Sequence, residues 1–190
     1  IARQERRLHM KFEVGKKLES FTCNTIERDG VKMEELTEGK PTMFLFLRYY
    51  GCRMCQVDLH DLDENYEAVR SAGGRAVVIL QSSREVMKEA AKEKAFHYTI
   101  ICDPDEKLYK QFEVRTASKK EDLIGGDAPR KIERAVELGL EHGAYEGNEL
   151  QLPAAVLVDR DMIVRYAHYG ENGADIPSVE EIAQLIRKTK

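Results

Sequence analysis

Two short apolar runs constrain the fold of this chain more than any other feature. Residues 42–48 read Thr-Met-Phe-Leu-Phe-Leu-Arg and residues 76–80 read Ala-Val-Val-Ile-Leu. Neither run alternates with polar residues, and the first is bounded by Pro41 and Gly51. Runs this short and this uniformly apolar form strands covered on both faces, the habit of parallel sheets. The segment between them has another period. Cys55, Leu59, Leu62, Tyr66 and Val69 step by four and three among charged and polar residues, so they share one helical face, and Gly73-Gly74 ends the helix. Strand, amphipathic helix and strand in succession predict a parallel βαβ unit.

The rest of the chain extends that unit. Residues 20–26 alternate like a half-buried strand, Asp29-Gly30 gives a hairpin signal, and Val31 to Leu36 continues the pairing. Ser82 and Glu85 have the spacing of a capping box for a helix reaching Glu93. Thr99 to Cys102 reads as a strand. Asp103-Pro104, with Glu106, reads as the capped start of a helix carrying Leu108 and Phe112. Residues 114–150 break the pattern with Gly125-Gly126, Pro129 and a polar stretch at 119–122; they are expected to hold one helix, Pro129 to Leu138, with Ile132 and Val136 inward. This piece is too short for its own core and reads as an insertion. Ala154–Val158 and Ile163–Ala167 then form a hairpin, and Ser178 with Glu181 caps a last helix whose apolar face is Ile182, Leu185 and Ile186. The expected fold is α/β: a central mixed sheet flanked by helices, with a helical insertion before the final hairpin, in one domain over residues 11–190. Residues 1–10 read as an N-terminal extension. Residues 1–9 lack the apolar centre of a secretory signal, and a natural start is expected at Met10.

Composition limits the function classes. The chain is 42% hydrophobic and 34% charged with a net charge of −4, which supports a packed core and gives no sign of a nucleic-acid surface. No apolar run approaches membrane-spanning length. Four cysteines, Cys23, Cys52, Cys55 and Cys102, are too few and too unevenly spaced for a disulfide scaffold. They point to a reducing compartment, here expected to be the cytoplasm, and to one functional pair.

That pair lies in Tyr49-Tyr50-Gly51-Cys52-Arg53-Met54-Cys55, between the buried strand and its helix. The carboxyl end of a parallel strand is where α/β folds place their sites. Cys52 should stand at the helix N-terminus and Cys55 one turn in. Two sulfurs so placed can close a disulfide with little backbone movement. The helix dipole stabilises a thiolate there by about 0.3–1 kcal/mol, or ~2 kcal/mol where partly buried, which lowers the Cys52 pKa by roughly one unit, from about 8.5 to ~7.5. Arg53 turned inward, or Arg48 at the strand end, would lower it further. Cys52 is therefore read as the nucleophile and Cys55, on the apolar face, as the more buried resolving thiol. The alternatives are a structural zinc site or inert core cysteines. Zinc would need two more ligands, and the nearest histidine, His60, should lie about two turns away. Cys102 and Cys23 read as core residues, and His97, His142 and His168 show no ligand spacing. Glu146-Gly147-Asn148 is either a pocket loop near Pro153 or a plain turn.

Several segments together resemble the peroxiredoxin-like branch of the alkyl hydroperoxide reductase/thiol-specific antioxidant family. They are Gly15 to Phe21 with Asp29-Gly30 and Leu36, Phe44 to Cys52, Cys102 to Asp105 with Tyr109 and Phe112-Glu113-Val114, and Glu146 to Ala154. The resemblance covers residues 11–190. It implies a thioredoxin fold, reduction of a small peroxide or a protein disulfide without a cofactor or metal, and an external thiol reductant such as a thioredoxin-like donor; it also allows a homodimer. It further implies that Pro153 follows a cis peptide and lies against the cysteine pair. Two departures stand out. Typical members carry Thr or Ser three residues before the reactive cysteine, where this chain has Tyr49, so a hydroxyl from Tyr49 or Tyr50 would have to replace it. Thioredoxins proper carry Trp before the motif and Gly-Pro inside it, where this chain has Gly51 and Arg53-Met54. The alternative from another class is a non-catalytic binding module that holds a partner chain along the Pro153 edge.

Overall fold

The structure, a computed structural model, describes residues 11–189, so the expectation for residues 1–10 falls outside it. A two-stranded hairpin, β1 (Thr22–Cys23) with β2 (Val31–Lys32), leads into α1 (Met33–Thr37). A five-stranded sheet follows: β3 (Thr42–Phe46), β4 (Arg75–Leu80), β5 (Thr99–Cys102), β6 (Ala154–Val158) and β7 (Val164–Tyr169). Its order is β5-β4-β3-β6-β7. β3, β4 and β5 run parallel, while β6 and β7 are antiparallel additions. The mixed sheet expected from the two apolar runs is present, and β3 is buried along its whole length at its centre.

Alternation along β3 divides the core. Met43, Leu45 and Leu47 face α2 (Arg53–Glu64), α3 (Tyr66–Ser71) and α8 (Val179–Arg187). Phe44 and Phe46 face Phe12, Phe21 and α5 (Lys107–Gln111), where Phe112 closes an aromatic cluster. Tyr109 of α5 donates its hydroxyl to the carbonyls of Leu47 (2.6 Å) and Ile79 (2.9 Å), tying the ends of β3 and β4 together beneath the cysteine pair.

Several local expectations shift. The helix after the cysteines is two, because Asn65 leaves helical geometry between α2 and α3. The chain after β2 turns helical at Met33 instead of extending to Leu36, with Glu35 accepting from the Lys32 amide. The helix α4 (Arg84–Glu93) is capped by Ser83, not Ser82; the Ser82 hydroxyl is taken by the Tyr50 amide at 2.8 Å. Asp103 caps α5 from a distance, accepting from Lys107 and Leu108, while Glu106 adopts a left-handed conformation and builds no box. A bulge at Leu157/Val158 moves the second hairpin strand to Val164–Tyr169.

The insertion holds α6 (Lys120–Leu123) and α7 (Ala128–Glu137). α7 packs along α2 through Ala128, Ile132 and Ala135, so Val136 points outward at 61% exposure, against expectation. Two ion pairs set that rotation: Lys131 with Asp58 and Arg134 with Asp61. Residues 139–149 then return as an irregular strap across the Cys52 loop.

Candidate active site

The chain leaves β3 and turns at Tyr49-Tyr50-Gly51, held by the Arg48 carbonyl accepting from Gln81 and by Ser82 under Tyr50. Cys52 is the N-cap of α2, and its Sγ accepts the Cys55 amide at 3.3 Å. This is the place and the bond that Ser or Asp would supply at a helix start. A sulfur there meets a free N–H and the positive end of the helix dipole, and both favour the thiolate.

Cys55 lies one turn in, with its Sγ accepting the Arg48 amide at 3.4 Å. All four cysteines are free and buried; Cys52 is 1% exposed and Cys55 6%. Hydrogen bonding from the Cys55 thiol, helped by the Arg48 guanidinium and the Cys55 amide, holds the Cys52 thiol well below its ordinary value despite burial. Cys55 moves the other way, raised by burial and by the charges of Cys52 and Asp58. The two thiols are shifted in opposite directions, Cys52 toward ionisation and Cys55 away from it. Burial pushes Cys23 and Cys102 up to about 12, in line with core roles.

Arg48, not Arg53, is the cation beside Cys52. Its Nη1 donates to the Glu149 carbonyl at 2.6 Å, its Cζ stacks 4.8 Å from the Tyr49 ring centre, and its Nε is buried without a fixed partner. Arg53 forms no ion pair among the described residues, and the largest influences on Cys52 come from Cys55, burial and Arg48. Neither tyrosine lines the cysteine cavity. The Tyr49 hydroxyl faces His142 Nε2 at 3.1 Å, while the Tyr50 ring lies against Phe96. His142 Nδ1 donates to the Gly143 carbonyl (2.8 Å), so in the neutral ring Nε2 is the acceptor and the Tyr49 hydroxyl donates. The hydroxyl replacement expected for the missing Thr is therefore not formed.

Pro153 lines, with Cys52, Cys55, Arg48, Asp58 and Gln151, a partly open cavity of about 10 Å³, space for about one water. No cis peptide occurs among the described residues, so Leu152–Pro153 is trans, correcting the expectation. The chain before Pro153 pairs with residues 115–117, Leu152 N donating to Arg115 O and Ala117 N to Leu150 O. Extended pairing delivers the chain straight into β6, and nothing there opposes the usual trans preference of about 0.5–1 kcal/mol.

The strap encloses the site. Gly143 N donates to Gly51 O (2.9 Å) and Gln56 Nε2 to Glu141 O (2.8 Å). Ser83 N donates to Glu146 (3.0 Å), and Asn148 N to the buried Gln81 (2.7 Å). Glu146-Gly147-Asn148 thus clamps the end of β4 and does not line the cavity. Sequence reasoning missed His142, Ser82, Gln81 and Asp58. Only Asp58 left a trace, as an acidic residue three positions after Cys55 on the same helix; the others act through contacts distant in sequence. Among the described residues no three His, Cys, Asp or Glu side chains are grouped as a metal would require, and no helix is long and apolar enough to cross a membrane.

A parallel strand delivering a cysteine pair to a helix N-terminus, with a proline before an antiparallel strand closing over it, defines a thioredoxin-fold thiol protein. The AhpC/TSA family signature matches residues 14–167, and the chain belongs to that family; it is a peroxiredoxin-like oxidoreductase. Its fold is similar to that of peroxidoxin BcpB from Mycobacterium tuberculosis (13% identity, TM-score 0.67, covering 96% of this chain and 99% of that one). It is also similar to the reduced 2-Cys peroxiredoxin of Plasmodium vivax (17% identity, TM-score 0.63, 91% and 79% covered). A thiol peroxidase from Chromobacterium violaceum gives 15% identity and a TM-score of 0.61, with 93% and 87% covered. The chain matches no curated protein by sequence.

Proposed function

We propose that the protein is a thiol peroxidase in which Cys52 attacks a small hydroperoxide and Cys55 resolves the product as an internal disulfide. The Cys52 thiolate takes the terminal oxygen of the hydroperoxide; the O–O bond breaks, the alkoxide leaves and is protonated, and sulfenic acid remains on Cys52. Cys55 displaces that hydroxyl as water and forms the disulfide. An external thiol, of the kind a thioredoxin-like donor carries, restores both cysteines by exchange. Four cysteines, too few and too unevenly spaced for a disulfide scaffold, fit a reducing compartment such as the cytoplasm.

The observation that carries this reading is the Cys52 sulfur at the α2 N-cap beside Arg48, with a protonated Cys55 one turn away. Substrate size supports a peroxide over a protein disulfide. Cys52 is 1% exposed, so a small hydroperoxide reaches it with less opening of its surroundings than a polypeptide disulfide would need. With Tyr49 engaged by His142, the Arg48 guanidinium is the group left to polarise the peroxide.

Stopped-flow reaction with hydrogen peroxide tests the proposal. Cys52 should react faster than free cysteine, and mass mapping should find a Cys52–Cys55 disulfide. The Cys55→Ser variant should accumulate sulfenic acid on Cys52. Reaction no faster than free cysteine ends the peroxidase reading, and insulin reduction would then favour disulfide exchange.

A further inference from the structure

We propose that Asp58 carries the proton between Cys55 and the oxygen leaving Cys52, with Lys131 of the insertion tuning it. This rests on the assignment of Cys52 and Cys55 as nucleophile and resolver. Asp58 follows Cys55 by three residues on α2, so the two share a helix face. Both line the cavity with Cys52. Of the other groups bounding that space, Arg48 stays protonated, and Gln151, Pro153, Gly173 and the apolar side chains cannot exchange a proton. Among the described residues lining it Asp58 is the one base, and the cavity is wide enough for a single water-sized hop.

The resolving step needs such a base. Cys55 is buried and its thiol is held protonated, yet its sulfur must attack as an anion. The Cys55 proton goes to the Asp58 carboxylate. The Cys55 sulfur donates an electron pair to the sulfenic sulfur of Cys52, the S–S bond forms, the S–O bond breaks, and hydroxide leaves with that bond's pair. Asp58 returns the proton to the hydroxide, giving water. The oxidant is the hydroperoxide that made the sulfenic acid, so no further reactant is required.

The setting of Asp58 suits the task. Its Oδ1 is 2.5 Å from Lys131 Nζ, with the side chains only 18% and 12% exposed. Burial raises the Asp58 carboxyl above the usual carboxylate range, and the Lys131 charge opposes that rise. The other charged or titratable groups that bear on it are Arg134 from α7, Asp61 and Cys55 from α2, and Tyr98 from the segment before β5. Because Lys131 comes from α7, the insertion contributes to the chemistry as well as covering it.

The test separates sulfenic acid formation from resolution in the full-length protein treated with hydrogen peroxide. Dimedone trapping reads the first step and disulfide formation the second. In Asp58→Asn, sulfenic acid formation should change far less than resolution. Resolution should slow by about 10²-fold, the lower end of general acid–base effects, and should lose its acid-side inflection with pH. Lys131→Met keeps the base but removes its counter-charge, so the inflection should move to higher pH. Should Asp58→Asn fail to fold by circular dichroism, the Lys131→Met profile decides alone. Asp58→Asn resolving at the wild-type rate with an unchanged pH profile, or an unmoved inflection in Lys131→Met, overturns the role of Asp58 alone. Wild-type protein that never forms the disulfide overturns the parent assignment and this one with it.

Discussion

Access to Cys52 should be governed by the 139–149 strap, and Gly51→Ala tests that directly. A Cβ on Gly51 would stand 2.3 Å from the Ala144 carbonyl oxygen, 2.8 Å from Gly143 C and 2.9 Å from Ala144 N. These are backbone atoms, so no side chain can swing away and the strap itself must shift. Gly51 is not in the left-handed region, so alanine is otherwise tolerated there. Overpacking of this kind costs about 1–3 kcal/mol, and loss of the Gly143–Gly51 bond adds about 1 kcal/mol. The strap has no helix or strand of its own, so the strain is relieved by local opening. If ~2 kcal/mol is removed from the opening free energy, exposure of Cys52 rises about 30-fold, at ~1.4 kcal/mol per tenfold. The assay is iodoacetamide alkylation of Cys52 at neutral pH, read by mass spectrometry with circular dichroism as a fold check. Gly125→Ala is the control, since its Cβ would make only ordinary contacts at 3.4 and 3.5 Å. A Gly51→Ala protein that folds and is alkylated at the wild-type rate would refute the gating argument.

Arg48→Met removes the cation beside Cys52. At roughly 4 Å and an effective dielectric of about 20 such a charge is worth at most about 4 kcal/mol, and a rise of only about one unit, ~1.4 kcal/mol, is expected because Cys55 and the α2 amides stay in place. The inflection of Cys52 alkylation with pH should move up; an unmoved inflection removes Arg48 from the account. Ser82→Ala leaves the Tyr50 amide without its acceptor in a covered site and should cost about 1–3 kcal/mol. Urea unfolding reads this, and an unchanged midpoint would show that Ser82 does not hold the active-site turn.

The parts of the fold legible in the sequence were those written in local periodicity. β3 and β4 followed from unbroken apolar runs, α2 from its four-and-three stepping, and the cysteine pair from the junction between them. Capping was legible only to within a residue or so. Ser82 and Ser83 are chemically alike, and tertiary demand from the Tyr50 amide decided which one capped α4. The inward face of α7 was misread because Val136 is apolar. Its rotation is set by Lys131 and Arg134 meeting Asp58 and Asp61, pairs more than seventy residues apart in sequence that no local pattern records. The trans peptide before Pro153 likewise follows from pairing with residues 115–117, and the engagement of Tyr49 by His142 from the path of the strap.

The ionisation of Cys52 in the intact, reduced protein tests the central claim most directly. Alkylation followed cysteine by cysteine against pH should give Cys52 an inflection well below the free-thiol value of about 8.5, with Cys55 still unreactive there. An inflection for Cys52 at or above that value, or Cys55 ionising first, would contradict the assignment of nucleophile and resolver.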